Sequence, residues 1–429
     1  MKETVILGGG IAGLAAAYRL RQAGRSARIF EKDAEWGGLC GNFTIDGFRF
    51  DRFVHFTFAP DPNVQKLFSA AGPLLNHPPV SSNYYHGYWL YHPAQNNLYP
   101  LPTDEKVKII KGFVHRRQIP VEQISDYDTW LRVQYGDYFA EHFPFAYTRK
   151  YWGAQPKELE TKWVGNRMHS PTLEEVLKGA FEKPTENFYY TSVMRYPQKG
   201  GFKSILHALA QGADIALNKK AVFIDPRVKR VKFADGTATA YGELLSSLPL
   251  PEIIRLLPDV PEPVQQAAKR LRHTCGYQIS LGFNKPDIAK YLWFYIYDED
   301  IPPARVYSPN LKSPDNVPGG CSSLQAEVFY GNTAPVPPAE QVLDTTLEKL
   351  RQMGLFNSAD IAVKDIRFEP YANIMFDHAI YQNRQTVLDY LTSLGIYSMG
   401  RFGKWAYFWT HQAFEDGKNT AEQVMHEHK

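Results

Sequence analysis

Val5-Ile6-Leu7 runs directly into Gly8-x-Gly10-x-x-Gly13, a helical pattern follows from Ile11 to Ala23, and a second apolar stretch, Ala27-Arg28-Ile29-Phe30, ends at Glu31. Strand, glycine turn, helix, strand and acid in that order constrain the chain to a βαβ unit built around a dinucleotide. The glycines let the backbone turn tightly and bring the helix N-terminus close to a pyrophosphate. Glu31 is placed to accept hydrogen bonds from a ribose 2′-hydroxyl. Alone, such a pattern describes many ordinary glycine-rich turns. Here it lies between strand and helix and is followed by Gly37-Gly38, a second pair that favours FAD over NAD. The candidate FAD contacts are Gly8, Gly10, Gly13, Glu31, Lys32, Gly38 and Leu39, with Val222 from a later β-rich run.

With 429 residues and 44% hydrophobic content, the chain can bury a large core divided between two or three domains. A net charge of +3 is too small for a nucleic-acid surface, although a local basic pocket for an anion is compatible with it. Cys40, Cys275 and Cys321 form no CxxC pair and leave an odd thiol, which points to a reducing compartment rather than a disulfide framework. No apolar stretch is long enough to span a bilayer. The early apolar run is interrupted by glycines and is needed for the cofactor, so it does not read as a cleaved signal. The expectation is a cytoplasmic enzyme that neither inserts into membranes nor binds nucleic acid.

Along the chain the periodicity changes several times. Residues from about Thr103 to Lys178 read as helical, with amphipathic stretches Glu105 to Val114 and Tyr127 to Phe139 separated by Pro120 and Pro144. Ala221 to Phe233 reads as a β-run that turns at Asp235-Gly236 into a hairpin, and Glu243 to Ser246 reads as a strand. Gln278 to Glu369 reads as antiparallel strands with long loops, and Thr420 to His428 as a final helix. The fold class is therefore α/β. A Rossmann-like FAD-binding domain is expected over 1–60, 195–250 and 385–429, with a helical insertion over 103–178. A second, mainly antiparallel sheet domain for the substrate is expected over 61–102 and 255–384.

Aromatic residues make up 14% of the chain and cluster unevenly. In an extended strand, Trp293-x-Tyr295 places both rings on one face, as a pocket wall requires, and the spacing recurs at Trp405-x-Tyr407-x-Trp409. Most aromatic residues serve the core, and that reading competes at each position. Arg167, Arg305 and Arg401 come from separate segments, and guanidinium groups from two segments suit a diphosphate. Singly, each reads more readily as a surface ion-pair member.

Pro93-Ala94-Gln95-Asn96-Asn97-Leu98-Tyr99-Pro100-Leu101-Pro102, the run KYWGAQPKELETKWVGNR from Lys150 to Arg167, and GRFGKWAYFWTHQ from Gly400 to Gln412 resemble the UDP-galactopyranose mutase family, especially its eukaryotic branch. The similarity spans nearly the whole chain. It implies interconversion of the pyranose and furanose forms of a UDP-linked galactose, of the kind used for cell-surface polysaccharides. Reduced FAD would attack the anomeric carbon through N5, with no net redox change. By the same resemblance, Trp152 and Arg167 match a pocket tryptophan and a diphosphate arginine. Trp293, Tyr295 and Arg305 match an aromatic pair and a second diphosphate arginine. Tyr407 and Tyr381 match a pair of tyrosines at the diphosphate, Arg401 an arginine beside the flavin, and His55 the histidine of a loop on one flavin face.

Three departures accompany the resemblance. Phe53-Val54-His55 stands where the family has a glycine pair before its histidine, and Thr148 stands where it has a pocket asparagine. Asn97 and Tyr99 occupy the stretch that meets NADPH in eukaryotic members, without the charged residue expected for a nicotinamide nucleotide, which leaves the reductant unidentified, with NADPH and a reductase as the candidates. An FAD-dependent oxidoreductase of the amine oxidase or protoporphyrinogen oxidase type is the second reading, and a flavin-binding scaffold without turnover the third.

Overall fold

The computed structural model describes residues 3–165, 167–183 and 193–427. Thr4–Leu7 is buried along its whole length, as befits the central strand of a parallel sheet covered on both faces. It is flanked by Glu243–Ser246 and Ala27–Phe30, and the five-stranded sheet has the order Ile396–Ser398, Glu243–Ser246, Thr4–Leu7, Ala27–Phe30, Asp214–Ala216, every pairing parallel. Helix Ile11–Gln22 packs along it together with the C-terminal helix Thr410–Glu427.

The second sheet has seven strands in the order Ile361–Ile374, His273–Phe283, Ser322–Gly331, Arg305–Tyr307, Trp293–Ile296, Ser82–Tyr85, Tyr88–Tyr91. All neighbours are antiparallel except Trp293–Ile296 beside Ser82–Tyr85. Between the two sheets in sequence lies a set of helices, among them Thr103–Val114, Tyr127–Tyr135, Pro144–Trp152 and Leu173–Phe181. Asp126 caps the second of these by accepting from Thr129 N at 2.8 Å, and Thr172 with Glu175 forms a reciprocal capping box on the last. The α/β class with a Rossmann-like parallel sheet and a mixed, mostly antiparallel second sheet is as the sequence leads one to expect.

Several local expectations are corrected. The run Ala221 to Phe233 is two strands, Ala221–Asp225 and Arg230–Phe233, because Asp225 Oδ1 accepts from Arg227 N and turns the chain. Within the span read as strands lies helix Ala339–Gln352, which buries Val342, Thr346 and Leu350 at a spacing of four. The last helix starts at Thr410 rather than Thr420. Trp405 is fully buried with φ +50, so it does not share a strand face with Tyr407. No helix among the described residues is long and apolar enough to cross a membrane.

Candidate functional site

A cavity of about 920 Å³ opens at the carboxyl ends of the parallel strands and continues beneath the seven-stranded sheet. At its first end, Gly8 N donates to Phe30 O at 3.0 Å and Gly37 N to Gly9 O at 2.8 Å, which closes the glycine turn. Glu31, 6% exposed, braces that turn: Oε2 accepts from Gly9 N at 2.7 Å and Oε1 from Asp33 N at 3.0 Å. A Cβ on Gly13 would lie 2.0 Å from Gly8 O, so only glycine lets the helix sit this close to the strand. Gly13 thus serves packing and does not line the cavity.

A Cβ on Gly10 would meet nothing nearer than Gly38 Cα at 3.9 Å; it would project into the space before the helix. That helix has no side-chain cap and no acid in its first turn, so its N–H groups and dipole are available to an anion. These features fit the pyrophosphate of FAD, and Lys32, Gly38 and Leu39 line the same end. Val222 does not. Its side chain is exposed at the rim, and the preceding Ala221 lines the cavity in its place.

The other end is built from side chains of distant segments. Trp293 and Tyr295 project together from one strand, as alternation requires, and Arg305, Arg401, Tyr407 and His55 join them. Arg305 is held by Glu327 on the neighbouring strand: Oε2 accepts from Nε at 2.9 Å and from Nη2 at 2.6 Å. Burial works against the Arg305 charge, and the Glu327 carboxylate more than offsets it, holding the guanidinium above its usual range. The Nη1 hydrogens and the second on Nη2 keep no partner among the described residues. Arg401 reaches Phe408 O and Asn373 Oδ1, both at 3.3 Å, while its buried Nε is unpaired. Its guanidinium lies 5.1 Å from the Tyr407 ring centre, and that of Arg167 lies 4.5 Å from the same ring.

Arg167 therefore touches the wall from behind, donating to Trp163 O at 2.6 Å, and is not itself part of the lining. Trp152 sits in the core against Trp163, Phe376 and Tyr407. Thr148 and Tyr381 also lie outside the cavity. Thr148 is buried and spends its hydroxyl on Pro144 O at 2.6 Å, one turn back in its own helix. Tyr381 donates to Glu160 Oε1 at 2.8 Å and lines a separate crevice.

The loop after strand Phe48–Asp51 forms one wall. Phe53 has φ +59, a left-handed conformation that costs about 1–3 kcal/mol for a non-glycine residue. It is held there by packing on Phe329, ring centres 5.7 Å apart, and by Val54 N donating to Glu327 Oε1 at 2.9 Å. His55 stacks on Phe202 at 5.0 Å, and burial lowers its pKa to about 4, so it is neutral at ordinary pH. Beneath the loop, Lys312 Nζ and Asp51 Oδ2 form a fully buried pair at 2.6 Å. Tyr196 OH, at 2.7 Å, and Phe202 N, at 2.9 Å, donate to the same carboxylate. Burial lowers the Lys312 pKa while Asp51 pulls it back up. Cys40 lines the cavity, but burial pushes its thiol up to about 12, which leaves it no thiolate to offer.

Sequence reasoning missed Glu327, Lys312 and Asp51. A signal for Glu327 existed: Ser323, Gln325 and Glu327 alternate with Leu324, Ala326 and Val328. Such alternation ordinarily marks a strand with one wet face, yet all six residues are buried here, and the polar face looks inward.

A parallel sheet ending in a glycine turn and a mixed, mostly antiparallel sheet thus share one cavity. The chain belongs to the flavin-containing amine oxidoreductase family, whose description matches residues 11–425. It is thus a member of an FAD-binding enzyme family. Over 51 residues it is 47% identical to a 1-hydroxycarotenoid 3,4-desaturase of Flavobacterium sp. (strain P99-3), which covers 12% of this chain and 10% of that protein. Over 60 residues it is 38% identical to a carotenoid 3,4-desaturase of Haloarcula japonica, covering 14% of this chain and 12% of that one. These matches span only about a tenth of the relatives' length. Among solved structures, a reduced UDP-galactopyranose mutase superposes with a TM-score of 0.92 over 100% of this chain and 96% of its own, at 23% identity. A putative protoporphyrinogen oxidase from Exiguobacterium sp. 255-15 gives 0.74 over 99% of each, at 19% identity. Both likenesses concern the fold.

Proposed function

We propose that this protein is a flavin-dependent nucleotide-sugar mutase that interconverts UDP-galactopyranose and UDP-galactofuranose. The observation that carries the reading is the far wall of the cavity, where Arg305, paired across the sheet with Tyr295, and Arg401, beside the Tyr407 ring, line the same space as Trp293 and keep guanidinium hydrogens without a partner among the described residues. Cations with free donors next to aromatic faces suit a sugar diphosphate. The full-length superposition on a mutase adds support at the level of fold. Reduced FAD, when bound, supplies the nucleophile for the anomeric carbon.

The chain's own residues do the rest. Arg305, Arg401 and the Tyr407 hydroxyl bind the diphosphate and stabilise the charge that grows on it as the glycosidic bond loosens. Arg167 supports Tyr407 from behind. Trp293 and Tyr295 orient the sugar, and the loop through His55 excludes water from the reacting face. A neutral His55 offers a hydrogen bond there without adding charge. Electrons for the flavin come from NADPH or a partner reductase.

A second reading, an FAD-dependent oxidoreductase, is favoured by the family and by the carotenoid desaturase matches. Chromatography after anaerobic dithionite reduction and addition of UDP-galactofuranose separates the two. The mutase reading expects UDP-galactopyranose only from reduced protein. Absence of both conversion and UDP binding would transfer the assignment to the oxidoreductase.

A further inference from the structure

Glu327 is fully buried and does not line the cavity, yet each of its oxygens holds a different part of the wall. Oε2 takes the Arg305 fork and Oε1 takes the Val54 N–H. Two residues along the same strand face, Phe329 packs on Phe53, whose left-handed backbone leads into His55. One carboxylate thus joins the cation expected to meet the ligand to the loop expected to meet the flavin. A buried carboxylate needs its full set of partners, because no water replaces a lost one. When an anion draws on Arg305, the guanidinium gives less to Oε2, and the carboxylate leans harder on its remaining donor, the Val54 N–H.

We propose that Glu327 is a positioning residue that couples anion binding at Arg305 to the loop Phe53-Val54-His55, so that a bound diphosphate tightens that loop. The inference rests on the nucleotide-sugar reading only in seating an anion at Arg305. Coupling of this kind needs one shared group whose two bonds compete, and Glu327 is that group.

Amide hydrogen exchange of the FAD-loaded protein tests it, with inorganic pyrophosphate and UDP as separate probes. In the wild type, saturating pyrophosphate should slow exchange in the peptide holding Val54 and His55 by roughly tenfold. In Glu327→Gln, whose single amide oxygen cannot accept from both Arg305 and the Val54 N–H, either probe should still bind but leave loop exchange unchanged. A merely structural role for Glu327 predicts faster loop exchange in the variant with the probe-dependent slowing retained, and that result overturns the proposal. Should the variant fail to retain FAD, the wild-type measurement decides alone: bound probe with unchanged exchange overturns it. Slowing by pyrophosphate without UDP binding would uphold the coupling and remove the nucleotide reading. UDP and pyrophosphate binding without slowing would do the reverse, and binding of neither would remove both.

Discussion

The two ends of the cavity are made in different ways. The glycine-turn end is largely backbone: a closed turn, an uncapped helix and one carboxylate, Glu31, spent on two main-chain N–H groups. The opposite end is largely side chain, drawn from four separated segments and propped from beneath by two buried carboxylates, Asp51 and Glu327. A backbone site tolerates side-chain change except where space itself is the feature. A side-chain site depends on each charge keeping its partner.

The most drastic break in that contrast is Gly10→Val. Its side chain would occupy the space before the helix, and the purified variant should carry essentially no FAD by its visible absorbance while remaining folded by circular dichroism. Next is Lys312→Met, which strands Asp51 without its cation. Loss of one partner of a buried pair costs about 3–5 kcal/mol, to be read from the denaturant midpoint. Stability within 1 kcal/mol of wild type, roughly the scale of an exposed pair, would show that the props are dispensable.

A smaller effect is expected for Arg305→Ala. UDP affinity should fall by about 1.5–3 kcal/mol, the scale of a charge-assisted hydrogen bond, with FAD content unchanged. Calorimetric titration showing equal affinity would remove Arg305 from the site. The mildest test is acidification. Burial lowers both His55 and His92 from their ordinary 6.5 to about 4, so the unfolded chain takes up those protons first. Stability should be fully present above about pH 6.5 and should fall progressively toward pH 4. In His55→Gln that acid-dependent loss should shrink, as read from thermal midpoints across the range.

The same contrast explains what was legible in the sequence. The glycine turn was legible because glycine spacing is a local property, and Gly8, Gly10, Gly38 and Glu31 line one end of the cavity. Trp293 and Tyr295 were legible through strand alternation. Thr148 and Tyr381 were misplaced because alignment to a family says nothing of which partner claims a hydroxyl: Pro144 O in one case and Glu160 in the other. Glu327 escaped notice because its alternation with apolar neighbours looks the same whether the polar face meets water or a buried network. Helix Ala339–Gln352 was hidden by averaging over a window rich in strand formers.

The order of the parallel sheet carries a consequence for how the protein comes into being. Its central strand Thr4–Leu7 pairs with Glu243–Ser246, far along the chain, which pairs in turn with the still more distant edge strand Ile396–Ser398. Arg401 and Tyr407, which close the cavity, follow that last strand directly. Contacts of such sequence separation form slowly, because long loops must close before they are rewarded. The glycine turn can close within its own segment, whereas the cavity is complete only once Arg401 and Tyr407 have joined it.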